Sequence, residues 1–357
     1  MELRQKKNTT GGDIGSYYPL FDWLRIILAI VVALKHDDVI QWSNAGNLAV
    51  QVFFALSGWL IGGILLSSKK EDLPRFFFNR VTRIWVPYAI AIALLLGASL
   101  LRDPVTSKWL EFAFYKLTFV YNFFGPPQLA QFRLQMPLAG TGNHFWSICA
   151  EEQFYLLAPF VIVLMPVRLG KSLVLWSLLS VLAVSAQVYG SIALGVTAAM
   201  LRYYFGDWHL NKCALIILSA ILIASVMCII LDWAPYIFVA PFFSVITVLL
   251  LARFGVKTYW GQFVGGMSYP FYLNHWIGVF SAHKLLEPFG LREAPISKVL
   301  ALVLNLFVAA VLYIVIDYSI KKYRSSWFNN RRGIYSAFAA YSLMAVGLAG
   351  GLSFFKG

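Results

Sequence analysis

Charge is scarce in this sequence. Only 13% of its 357 residues are Asp, Glu, Lys or Arg, against about a quarter in a typical soluble domain. Hydrophobic residues make up 60%, which leaves too little polar surface for an ordinary soluble enzyme and excludes intrinsic disorder. Cysteine is scarce too. The three, Cys149, Cys213 and Cys228, show no CxxC spacing, and the last two lie in apolar runs. That argues against a disulfide framework or a structural metal site. Internal repeats and low-complexity linkers are absent, so nothing marks a second domain. No cleavable signal is evident, because the first apolar run carries Asp22 and Arg25 near its start and no small-residue cleavage site follows it.

What is present is a series of long apolar blocks, each near the ~20 residues that cross a bilayer. The expected fold class is all-α, a polytopic transmembrane bundle of ten or eleven spans. The expected boundaries are a cytosolic tail over 1–17, a membrane domain over 18–325, and a basic loop with a terminal transmembrane helix over 326–357. Spans are read at about 19–34, 48–66, 84–100, 146–167, 214–230, 235–251, 262–280, 299–316 and 334–354. The run 172–205 crosses once or twice. Two crossings place the tail, with Arg4, Lys6 and Lys7, and the basic loops at 67–83 and 321–332 on one side, as the positive-inside rule requires. Eleven spans are therefore favoured. The surplus of 29 Lys and Arg over 16 Asp and Glu then reads as cytoplasmic loops and lipid contact rather than nucleic-acid binding. The only long connection, 101–145, contains FAFYKLTFVYNFF, which is too short and broken for a span and fits an interfacial or re-entrant segment.

Polar groups at membrane depth are costly and are functional candidates. In PLFDWLRIILAIVVALKHDD, Arg25 and His36 are eleven residues apart. At ~100° and 1.5 Å per residue they share a helix face roughly 16 Å apart. The alternative is a snorkelling arginine and a loop-facing histidine. WSICAEEQFY puts Glu151 and Glu152 just inside a span that opens at Trp146. At least one carboxylate should lie inside the bundle. His144, before that span, reads as a loop residue. GGMSYPFYLNHWIG interrupts a later span with Ser268, Tyr269, Asn274 and His275 around Pro270, which frees a backbone carbonyl. Arg80 and Arg83 share a helical face close to Arg75, an arrangement suited to phosphates or to a plain basic loop. Asp317 reads as a charge anchor.

Taken together these elements resemble the acyltransferase-3 family of integral membrane O-acyltransferases. FDWLRIILAIVVALKH is similar to the family's opening segment and places its arginine and histidine on Arg25 and His36. VQVFFALSGWLI, NRVTRIWVP, WSICAEEQFYLLAP and SYPFYLNHWI follow in the family's order, the last placing its late histidine on His275. Two departures stand out. IDYSIKKY lacks the family's proline and has Asp317 in place of its glutamate, and the chain reads as the form without the fused extracellular hydrolase-like domain of larger members.

The resemblance implies transfer of an acyl group, acetyl by preference, from cytosolic acyl-CoA to a hydroxyl of a cell-envelope or exported carbohydrate or glycolipid. The expected setting is the inner (plasma) membrane with a cytoplasmic N-terminus. Arg25, Arg75, Arg80 and Arg83 would hold acyl-CoA. His36 would act as general base, with Glu151 as an orienting carboxylate and His275, Asn274 and Ser268 as oxyanion donors. Asp37, Tyr269 and Trp146 are further substrate contacts. No metal is expected. An acyl-enzyme on Ser147 or Cys149 is the lesser route, and a transporter or flippase of a glycoconjugate is the rival function.

Overall fold

The computed structural model describes residues 17–253 and 255–355. The expected basic tail lies almost wholly outside the described residues. Among them there is no β-strand, and the chain is helical throughout, as the apolar blocks require. The long helices are α1 (Pro19–His36), α2 (Ala45–Ser67), α3 (Lys70–Leu100), α4 (Ser107–Leu117), α5 (Phe145–Leu164), α6 (Leu173–Ser185), α7 (Gly190–Phe205), α8 (Lys212–Ile230), α9 (Tyr236–Leu251), α10 (Tyr259–Leu286), α11 (Pro295–Trp327) and α12 (Asn330–Phe354). Six of them, α2, α3, α5, α8, α11 and α12, are long and apolar enough to cross a membrane. The rest are shorter, or carry the polar residues that build the site. The molecule is a polytopic helix bundle.

Local chemistry sets the helix ends. Pro19 opens α1 at a position whose N–H has no helical partner, Asp22 lies in its first turn, and Lys35 and His36 lie in its last, each matched to the helix dipole. Thr106, Ser172 and Thr258 cap α4, α6 and α10 by accepting backbone N–H bonds. The run 172–205 forms two packed helices, α6 and α7, joined by a turn in which Gln187 and Tyr189 take positive φ. Helix α6 has 13 residues and α7 has 16, and neither is among the helices long and apolar enough to cross a membrane. The aromatic stretch at 111–124 breaks at Phe119, which also has positive φ, so α4 is no span.

The core is built by α1 packed on α2 and α10, with α7 and α9 closing over α2 and α11 lying along α10. In a bilayer such contacts rest on close packing rather than on water exclusion. Helices α2 and α7 meet backbone to backbone: a Cβ on Gly58 would lie 2.2 Å from the Ile192 carbonyl oxygen, and one on Gly195 2.4 Å from that of Ala55. Helix α12 runs from the Leu73–Arg80 end of α3 to α4 at the opposite end of that span. Its Gly347 and Gly351 let it press on Thr118 and Phe124.

Pro87 loosens α3, whereas α10 runs unbroken through Pro270. Pro87 cannot bond the carbonyl four residues back, and α3 widens there into a π-helical turn, Val81–Trp85. The Tyr269 hydroxyl donates to the Ile84 carbonyl in that turn, 3.2 Å away. Helix α5 ends in another π-helical turn, Phe160–Leu164, and α11 has a third, Tyr313–Asp317.

Candidate active site

Two polar clusters lie at opposite ends of α1. One gathers around Arg25. Its guanidinium donates to Asp22 at 3.2 Å and shares its electrostatic surroundings with Arg83, Glu151 and Tyr155. Glu151 accepts from the Ser57 hydroxyl at 2.9 Å and the Tyr155 hydroxyl at 3.0 Å. Glu152 accepts from the Trp85 indole at 2.9 Å. The Arg80 guanidinium lies over the rings of Phe76 and Tyr155. Three buried polar atoms here, Arg80 Nε, Glu152 Oε1 and Asp317 Oδ2, have no hydrogen-bond partner among the described residues. Arg83 is exposed in the widened turn. Arg75 is exposed on the surface and packs over Phe328.

The other cluster is made of histidines. His36, the last residue of α1, points Nδ1 at His275 Nε2, 3.0 Å away. His144 joins them, its ring centroid 4.4 Å from that of His275 and 5.7 Å from that of His36. His144 and His275 are buried, whereas His36 is exposed. The hydrogen-bond network assigns the tautomers. His275 Nδ1 lies 2.9 Å from the Tyr272 carbonyl, which can only accept, so Nδ1 carries the hydrogen and Nε2 the lone pair. His36 Nδ1 must then be the donor, and His36 Nε2 keeps its lone pair. His144 Nε2 is likewise 3.3 Å from the Leu273 carbonyl. The Ser147 and Tyr272 hydroxyls, 2.7 Å apart, both approach the His144 carbonyl and fix the loop that carries it.

Several expected residues stand elsewhere. Glu151 does not orient His36, because its oxygens are bonded to Ser57 and Tyr155 at the arginine end. The Ser268 hydroxyl donates to Gly265 in its own helix at 2.7 Å, so it offers no hydrogen to the histidine end. The Asn274 amide donates to the Pro270 carbonyl of its own helix at 3.0 Å, so its hydrogen is not offered to the histidine end. Tyr269 reaches the widened turn of α3 rather than the histidines. Trp146 packs edge-on against Phe54. The Asp37 carboxylate pairs with Lys298 at 3.2 Å and lies 4.0 Å from His283. Cys149 is buried within 4.0 Å of the Tyr88 hydroxyl. His144 is a member of the cluster that the sequence does not single out as catalytic. A lone histidine ahead of a span has no periodic signal, and its NHFW context points no further.

One nitrogen from each of the three imidazoles lies within 4.8 Å of the others. They form a donor set of the kind that holds zinc in catalytic sites with an open fourth position. Their other established capacity is proton transfer near neutral pH.

Comparison with known proteins adds the family. A family model described as "Acyltransferase domain" matches residues 18–316. The chain is 30% identical over 195 residues to an "O-acetyltransferase OatA" of Staphylococcus aureus (strain NCTC 8325 / PS 47), a match covering 53% of this chain and 32% of that protein. It is also 30% identical over 152 residues to a "Peptidoglycan O-acetyltransferase OatA" of Listeria monocytogenes serovar 1/2a (strain ATCC BAA-679 / EGD-e), covering 40% and 24%. The chain thus spans about a third or less of the length of these relatives. No solved structure matches. With the matched region running from the start of α1 into the π-helical turn of α11 and taking in both polar clusters except Asp317, the chain belongs to this family of membrane acyltransferases.

Proposed function

We propose that the protein transfers an acyl group, acetyl by preference, from acyl-CoA to a hydroxyl of a cell-envelope or exported carbohydrate, with His36 as general base. The observation that carries this is the His36–His275 pair. Its tautomers leave the exposed imidazole with a free Nε2 lone pair, and a buried imidazole behind it holds Nδ1–H in place. In the transfer, His36 Nε2 takes the proton of the acceptor hydroxyl. The oxygen then bonds to the thioester carbonyl carbon, the tetrahedral oxyanion collapses, the carbon–sulfur bond breaks, and the thiolate leaves. The proton returns from His36 to the sulfur. His275 Nε2 accepts a hydrogen bond from the transient imidazolium and stabilises it, as an orienting partner does in catalytic triads.

Arg25, Arg80 and Arg83 would bind the phosphate-bearing donor at the far end of α1, where unpartnered buried polar atoms accompany them. Arg75, at the surface, would meet it on entry. This reading puts the arginine end at the cytosol and the histidine end at the outer face of the inner (plasma) membrane, in line with the basic loop at 67–83. Direct transfer suffices, and Ser147 and Cys149 are not used as nucleophiles.

A metal ion on His36, His144 and His275 is a second reading with an observation behind it. We favour the proton because 3.0 Å between Nδ1 and Nε2 suits a shared hydrogen, whereas two nitrogens on one tetrahedral zinc stand about 3.3 Å apart.

The test is acetyl-CoA turnover by the purified protein in nanodiscs with a panel of glycans, wild type against His36→Ala. Transfer that depends on His36 supports the proposal. Folded protein that neither binds nor turns over acyl-CoA, yet moves a glycoconjugate across proteoliposomes, would establish the transporter instead.

A further inference from the structure

A cavity of about 760 Å³ opens beside the histidine end, large enough for a small molecule or a few sugar units. Two links join it to the histidines. His283, in its wall, lies 4.0 Å from the carboxylate of Asp37, the neighbour of His36. Thr141, also in its wall, is three residues before His144.

The walls are basic. Arg102, Arg133, Lys284 and Arg292 line it together with Asp103 and Glu287. Both carboxylates are already engaged. Asp103 accepts from the Ser99 hydroxyl at 2.5 Å and the Leu138 N–H at 2.7 Å. Glu287 pairs with Lys284 at 3.3 Å and lies 3.9 Å from Arg292. Arg102 and Arg133 have no carboxylate partner among the described residues. Arg102 packs over Phe280, and Arg133 uses Nε on the Ala139 carbonyl at 3.2 Å. Both side chains are exposed, and their remaining guanidinium donors are free to take a ligand.

Part of the lining is strained. Leu138 and Ala139 hold φ of 49° and 51°, a left-handed pair without glycine. Asp103 grips the first through its N–H and Arg133 the second through its carbonyl. Side chains that hold strain of this kind cluster at binding sites.

We propose that this cavity is the acceptor subsite and that it selects a carbohydrate bearing an anionic group, carboxylate or phosphate, clamped by Arg102 and Arg133. The inference rests on the reading that acyl transfer occurs at the histidine end. A planar guanidinium binds either anion through paired hydrogen bonds. Anchoring the acidic group there would carry a neighbouring hydroxyl past His283 and Asp37 to His36 Nε2. A lipid headgroup offers the same phosphate chemistry. The link from the cavity to the histidines through Asp37 and Thr141 favours a glycan whose hydroxyl must reach them.

The test is equilibrium binding to the full chain in zwitterionic nanodiscs. The probes are a labelled tetrasaccharide of alternating N-acetylglucosamine and glucuronate, a glycerol-phosphate oligomer, and chitotetraose as the neutral control. At least tenfold tighter binding of the charged probes is expected, lost in 0.5 M salt. Arg102→Gln with Arg133→Gln should bring them to the level of chitotetraose, and the double lysine variant should recover part of the difference. Equal binding of charged and neutral probes, or a double variant that unfolds like wild type and binds unchanged, overturns the proposal. So does displacement of the charged glycan by phosphatidylglycerol placed in the disc, which would assign the cavity to lipid. Acetyl-CoA turnover in the same preparation separates the two ideas. Selective anionic binding without His36-dependent transfer overturns the acyl-transfer reading and with it the acceptor role, leaving an anionic-glycan site, and transfer to the neutral glycan alone overturns only this proposal.

Discussion

His36 Nδ1 lies 3.0 Å from His275 Nε2, although 239 residues separate the two in the chain. The pairing divides labour between an exposed imidazole and a buried one. His36→Ala should lower acyl transfer by roughly 10²–10⁴-fold, the worth of a general base. His275→Gln should cost roughly 10–100-fold, the value of one hydrogen bond to a charged partner. Initial rates at saturating acyl-CoA check both. Equal losses would mean that the division is wrong.

Arg25→Ala should raise the KM for acyl-CoA by roughly tenfold or more, the worth of one charge-assisted hydrogen bond, with a smaller change in kcat. Arg25→Lys should recover part of the affinity. A defect confined to kcat would move Arg25 out of the donor site.

Lys116 lies outside the spanning helices, at the end of α4. Its amine is buried, donates to the Gly142 carbonyl at 2.9 Å and sits 3.5 Å from the Tyr121 ring centroid. Burial lowers its pKa from 10.5 to about 7. The unfolded chain holds that proton up to about 10.4. Between these values the unfolded state binds more protons, so stability rises with pH there and the penalty is full below pH 7. Lys116→Met should therefore raise the unfolding temperature at pH 6 and flatten its rise from pH 7 to 10. Parallel curves for the two proteins would refute this.

Gly58→Ala should destabilise the bundle by roughly 1–3 kcal/mol, because the added methyl meets a carbonyl oxygen that cannot move alone. Gly63→Ala is the matched control, with open space at that position. Thermal unfolding in detergent compares them.

Metal analysis of the purified protein should find no ion in step with activity, and 1,10-phenanthroline should leave the transfer rate unchanged. Stoichiometric zinc that disappears together with activity would transfer the histidine cluster to the metal reading.

The helices are legible in the sequence because apolar blocks of bilayer length have few alternatives. Arg25, His36 and His275 are legible because charged and titratable residues interrupt those blocks. What one sequence does not reveal is which end of the bundle a polar side chain serves. Ser268 and His275 share a helix, but seven residues span roughly 10 Å along it. The serine bonds its own backbone, and Tyr269 beside it bonds α3. A place inside the bundle suggests Glu151 as a partner for His36, yet Ser57 and Tyr155 claim it. His144 depends on the left-handed turns before it, at Leu138, Ala139, Gly140 and Gly142, which no periodicity encodes.

Helix α12 follows the matched region, yet it packs on the Leu73–Arg80 end of α3 and, farther along, on α4. Its 25 residues make a rod of roughly 38 Å. One end meets Pro74, where a Cβ on Gly333 would lie 2.4 Å from the carbonyl oxygen, and the other meets Thr118 and Phe124. A tilt at one surface is thereby a displacement at the other. A partner that grips one end of this helix gains a mechanical hold on the far side of the bundle.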